Sequence, residues 1–326
     1  MDFRLSEDQE ALRRGIRDFC EQRLAISQLR EFERNAPDGE LWNDFAEMGI
    51  LDLRQPEAEG GLGLGTTEAM FVFEELGRCL APGPLLWSHL AAGTVEGAGS
   101  GSVIVTGFDQ VDHEGGPVLI EHLMISDVLV VLRADGVYRI DPKALESKKI
   151  AKPLDPFTPL HHVESLPQGD VIADAATAQR TRVEGTALAA ALMLGIAEAT
   201  QELATAYAKD REQFDRPIGS FQAIKHILAD CFVRQEIARA AVYAAGVTLD
   251  DSNLDDARRA AAAAKITAGE AAMKNSRACI QVHGGMGFTW ENPAHFYLKR
   301  TWVLENAFGG VEYQADTMAA LIPEQA

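Results

Sequence analysis

The sequence predicts an α+β, multi-domain protein in which a helical segment, a small β-rich segment and a helical bundle follow one another. Three observations predict it. Apolar residues recur at helical spacing in the first part of the chain, short β-branched runs separated by Gly, Asp and Pro follow, and the helical period returns at about Gly185. The expected units are an N-terminal helical domain at 1–98, a shortened β domain at 99–182 and a C-terminal four-helix bundle at 183–326.

Taken in order, Ser6-Glu7-Asp8-Gln9 reads as a capping box, with Leu12, Ile16 and Phe19 following at helical spacing. An amphipathic run at 41–49 stops at a glycine, and Pro56-Glu57-Ala58-Glu59-Gly60-Gly61 is a breaker-rich loop. A further helix at about 67–80 is closed by Ala81-Pro82-Gly83-Pro84. Small residues at 97–102 read as a linker. Runs at 103–106, 118–120, 128–132 and 137–140 then suggest a small antiparallel β domain.

In the last part, Leu188, Leu192, Ile196, Leu203 and Tyr207 repeat near 3.6 residues. A second long helix is expected over about 220–249. A third is expected over about 254–282, with Asn253 as N-cap, Asp255 and Asp256 favoured in its first turn, and Gly284 ending it. These three and a terminal helix make the bundle.

The formal net charge of -19 argues against nucleic-acid binding, which needs clustered Lys and Arg to replace phosphate counterions. No window reads as a membrane span, and the start lacks the apolar core of a secretory signal, so a cytoplasmic protein is expected. Cys20, Cys79, Cys231 and Cys279 are far apart without CxxC spacing, which points to reduced core thiols. His161-His162 is expected in a Pro-flanked loop, with no metal, and His295 as a packed or interface residue.

Two segments carry the chemistry: Arg211-Glu212-Gln213-Phe214 with Gln222 downstream, and Gln281-Val282-His283-Gly284-Gly285. With them stand 42–51, Pro56 to Gly63 and Glu74-Glu75-Leu76-Gly77-Arg78. Together these resemble the acyl-CoA dehydrogenase family over nearly the whole chain. The resemblance implies a FAD enzyme that desaturates an acyl-CoA thioester and hands electrons to a further acceptor. It implies that Arg211 holds the FAD pyrophosphate as a two-donor fork, with Phe214 packing on the cofactor and Gln213 and Gln222 nearby. Gln281 and the Gly284-Gly285 backbone would meet the pyrophosphate and adenosine end, because glycine lets a chain pass close to phosphate.

The base is missing. In the family a Glu removes the proton next to the thioester, and the two positions that supply it align with Gly309 and Gly185. Glu184, Glu305 and Glu312 lie nearby, but one helical step turns a side chain by about 100°, so they read as ordinary surface carboxylates. The Thr and Gln that usually follow the base align with Val311 and Tyr313, and the β region is about half the usual size. The residues that would serve a neighbour's FAD are therefore intact, while those that would serve the chain's own are damaged. This implies the small, base-lacking subunit of an α2β2 enzyme whose homologous partner carries the catalytic Glu. Two alternatives stand beside it: a self-sufficient homo-oligomer with a relocated base, Glu184 first, and a non-enzymatic assembly subunit without flavin.

Overall fold

The computed structural model describes residues 5–24, 39–110, 115–251 and 253–322. The opening stretch 1–4, on which the absence of a secretory signal rests in part, lies outside them. Helix α1 (Glu7–Arg23) begins with the expected box: Gln9 N donates to Ser6 Oγ at 3.2 Å and Ser6 N to Gln9 Oε1 at 3.0 Å. Helices α2 (Gly39–Glu47) and α3 (Thr66–Arg78) follow, close to expectation. Helix α4 (Leu85–Ala91) falls where the sequence shows only the proline-rich stop after α3. Its packing makes it a helix, since all but Leu86 of its residues are buried.

The β region holds β1 (Val105–Asp109), β2 (Val118–Glu121), β3 (Val128–Leu132), β4 (Gly136–Ile140), β5 (Ser147–Lys149), β6 (Leu160–Val163) and β7 (Asp170–Asp174). They form a four-stranded sheet, ordered β1-β3-β4-β7, and a three-stranded one, ordered β2-β6-β5. The domain is mixed rather than wholly antiparallel: β1 pairs with β3 in parallel, Val105 opposite Val128, because β2 leaves for the second sheet between them. Strands β5 to β7 escaped the sequence, as Ser147–Lys149 is fully exposed and polar. His161 and His162 lie on β6, not in a loop. Ile120, Leu129, Val131, Tyr138 and Val163 pack between the sheets, while Val105, Val128, Val130 and Val137 join the main core.

Helix α5 (Ala175–Asp210) starts ahead of Gly185, capped by Asp174, which accepts from Thr177 N at 2.9 Å. It meets the length and composition of a membrane-crossing helix, contrary to expectation, yet it is a core helix buried within the fold. Helix α6 (Gln222–Asp251) and helix α7 (Leu254–His283) complete the long bundle, and Asn253 Oδ1 accepts from Asp255 N and Asp256 N at 3.0 and 3.1 Å. The terminal element is two helices, α8 (Ala294–Asn306) and α9 (Val311–Ala320), broken at a turn through Phe308 and Gly309.

Helices α1, α3, α5 and α6 are tied by titratable groups packed among them, and burial pushes Glu74 up to about 7. Glu75 accepts from Arg13 Nε at 2.9 Å and Arg17 Nη2 at 2.7 Å, and Glu198 pairs with Arg17 at 3.3 Å. Glu74, wholly buried, accepts from Arg239 Nη1 and from the Tyr243 hydroxyl at 2.7 Å. Carboxylates out of water need such partners, so this set fixes how the helices face one another.

Candidate cofactor half-site

At the end of α5, Arg211 N donates to Tyr207 O and Arg211 O accepts from Ile218 N, both at 2.8 Å, closing the chain into a tight loop. Within it, β8 (Glu212–Gln213) and β9 (Arg216–Pro217) form a hairpin whose two turn residues, Phe214 and Asp215, take φ 54° and 59°. Positive φ at both positions is the type I′ geometry that Asn-Gly usually supplies, and it is costly for an aromatic residue. The strained turn aims Phe214 outward, leaving it 86% exposed, which rules out a core role within this chain. Arg216 lies 4.0 Å above the Phe221 ring, which meets Phe214 edge-on at 6.1 Å. Gln222 opens α6, where first-turn N–H groups have no partner inside the helix.

The second segment ends α7. Gly284 takes φ 58° and ψ -136°, a backbone conformation only glycine adopts readily. A Cβ added at Gly284 or Gly285 would meet nothing within 4 Å, so both leave bare backbone facing open space. Buried His283 donates from Nδ1 to Cys279 O at 2.8 Å and stacks on Tyr207, ring centroids 4.2 Å apart. Burial pushes His283 below its ordinary range, so the neutral ring is the stacked form. That stack, over a floor of Ala204, Ala208, Cys279 and Val282, joins the ends of α5 and α7.

The structure thus brings both segments to one end of the bundle. Arg211, Gln213, Phe214, Gln222, Gln281, Gly284 and Gly285 are all exposed there, and Arg211 has no side-chain partner among the described residues. A free guanidinium, bare glycine backbone and a helix N-terminus suit a pyrophosphate, and the exposed Phe214 suits an aromatic ligand. These residues fit the ADP end of FAD, and they face outward.

The base positions fare differently. Gly309 has φ 86° and Gly185 is buried. The sequence reads Glu184 as an ordinary surface carboxylate, and the structure corrects this: it is largely enclosed, with Arg54 Nη2 2.9 Å and Arg180 Nε 2.7 Å from its oxygens. Burial alone would raise its pKa, but the two guanidinium groups outweigh burial and hold it below the ordinary carboxylate range. Arg54 Nε also donates to His89 Nε2 at 2.9 Å, a buried link no sequence motif announced. His295 packs against Trp290 and Phe296, as expected.

The N-terminal domain model of acyl-CoA dehydrogenases matches residues 6–102, and the C-terminal domain model of the same family matches residues 176–322. The chain belongs to the acyl-CoA dehydrogenase family. Acyl-CoA dehydrogenase IpdE2 of Mycolicibacterium smegmatis is 30% identical over 312 residues, covering 91% of this chain and 93% of that protein. Among solved structures, the ChsE4-ChsE5 complex from Mycobacterium tuberculosis matches with TM-score 0.84 at 24% identity, over 100% of both chains. The Tcur3481-Tcur3483 steroid ACAD G363A variant matches with TM-score 0.82 at 24% identity, over 97% of both chains. As a member of this family the chain is an oxidoreductase by descent, with the family's fold and the family's FAD as its cofactor class.

Proposed function

We propose that this acyl-CoA dehydrogenase chain is the base-lacking subunit of a cytoplasmic α2β2 enzyme that desaturates an acyl-CoA between its α and β carbons. It lends the ADP-holding half of a FAD site to a homologous subunit that carries the catalytic Glu. The observation that carries this reading is the contrast between seven intact, outward-facing cofactor residues and two base positions occupied by glycine. The FAD these residues would help to hold would supply the acceptor for the hydride leaving the thioester's β carbon. Arg211 would neutralise the pyrophosphate, Gly284 and Gly285 would let it approach the backbone, and Phe214 would cover an aromatic face. The proton is the partner's task, since Glu184 is held ionised by two arginines and is a poor base for that reason.

One matched fold is the ChsE4-ChsE5 complex and another, Tcur3481-Tcur3483, is described as a steroid ACAD; on that ground the substrate is a bulky acyl-CoA such as a steroid side-chain fragment, with an electron-transfer protein as acceptor. The test is Arg211→Gln in the complex co-expressed with a base-carrying subunit. Flavin retained per complex should fall at least about tenfold, as for loss of a charged phosphate contact. Unchanged flavin and activity would favour the assembly subunit without a flavin role and end this proposal.

A further inference from the structure

Helix α1 and the C-terminal end of helix α3 flank a cavity of about 240 Å³, and two cysteines that lie far apart in sequence meet in its wall. Arg17, Cys20, Glu75, Arg78, Cys79 and Tyr297 line it. A single carbonyl gathers both cysteines: Glu75 O accepts from Cys79 N at 3.2 Å, and Cys20 Sγ lies 4.0 Å from the same oxygen. Cys79 Sγ donates to the next carbonyl, Leu76 O, at 3.4 Å. The two thiols are neighbours as a result, and the hydrogen bond between them, together with burial, pushes Cys20 above the ordinary thiol range.

The surroundings give the two sulphurs different parts to play. Cys20 is 3% exposed, whereas Cys79 is half-buried, so a small reagent entering the cavity reaches Cys79 first. Arg78, held in place by Glu202, lends positive charge beside the pair, which favours a sulphur anion there. Tyr297 of α8 donates to Arg78 O at 3.0 Å and fixes the far wall. Cys231 and Cys279 have no such access, at 1% and 0% exposure.

We propose that Cys20 and Cys79 are an oxidation site, at which hydrogen peroxide converts the pair into a disulfide that staples α1 to α3. The Cys79 thiolate attacks one peroxide oxygen, the O–O bond breaks, and Cys79 becomes a sulfenic acid while the departing hydroxide takes up a proton as water. Cys20 then attacks the sulfenic sulphur. The S–S bond forms, the S–O bond breaks, and the hydroxyl leaves as a second water with the proton that Cys20 gives up. In sum the two thiols lose two electrons and two protons, and one peroxide becomes two waters. The inference goes beyond the shared-site reading and does not depend on it. It concerns the packing of α1, whose Arg13 and Arg17 belong to the ion set around Glu75.

The experiment treats the full chain with hydrogen peroxide, alone and in its complex with a base-carrying subunit, and maps its peptides by mass spectrometry. Cys20 should be found joined to Cys79 in a species two hydrogens lighter, and dithiothreitol should restore both thiols. In the chain alone, thiol titration in denaturant should fall from four to two. The melting temperature should rise by about 4–8 °C on oxidation, the range for closing a loop of about sixty residues in a protein of this size. In Cys79→Ser, or in Cys20→Ser should that variant not fold, the bond and the rise should both vanish. Four thiols surviving a peroxide dose that fully oxidises free cysteine, a bond to Cys231 or Cys279, a link between chains, or an unchanged melting temperature each overturns the proposal.

Discussion

The side chain of His89 shows how one buried residue contributes to the acid limit of the fold. Nδ1–H donates to Ile50 O at 2.8 Å and Nε2 accepts from Arg54 Nε, so the neutral ring satisfies both nitrogens. Burial, with Arg54 beside it, pushes its pKa from 6.5 to about 3. The unfolded chain therefore takes up this proton first as pH falls, and the stability His89 contributes is complete above 6.5 and lost between 6.5 and about 3. The slope is about 1.4 kcal/mol per pH unit. Urea unfolding at pH 7 and pH 5 should show a loss smaller by about 2 kcal/mol in His89→Gln than in the natural chain; identical losses would refute this. Not all of this could be read ahead. The seven candidate cofactor residues are named from their order along the chain, and folding leaves all seven exposed. The enclosure of Glu184 was not legible, because its partner Arg54 lies far away in sequence, and only folding encloses the pair.

Among elements, the long helices were legible from period and caps, as at Ser6 and Asn253, since those signals are local. Helix α4 and the parallel pairing of β1 with β3 were not, because both are decided by neighbours distant in sequence. The same holds for the buried ion set between α1, α3, α5 and α6. Arg239→Met should destabilise by about 3–5 kcal/mol, because it leaves Glu74 with less compensation for its burial. Replacing Glu74 together with Arg239 by apolar residues should recover much of that loss. Chemical unfolding of the single and double variants checks both statements, and equal stability of the two would count against the account.

For the whole molecule, the ends of α5 and α7 present the candidate cofactor surface to the outside, while Trp87 and Phe308 pack together, Phe308 against Gly185. A self-sufficient enzyme needs a catalytic carboxylate as well. On the proposed reading two homologous chains divide the labour, and flavin per chain reports it most directly. Absorbance near 450 nm and mass should be measured on the protein purified alone and after co-expression with a base-carrying dehydrogenase subunit. A colourless protein alone and a yellow α2β2 tetramer with one FAD per αβ pair together are the expected result. A protein that is yellow and active by itself would contradict it.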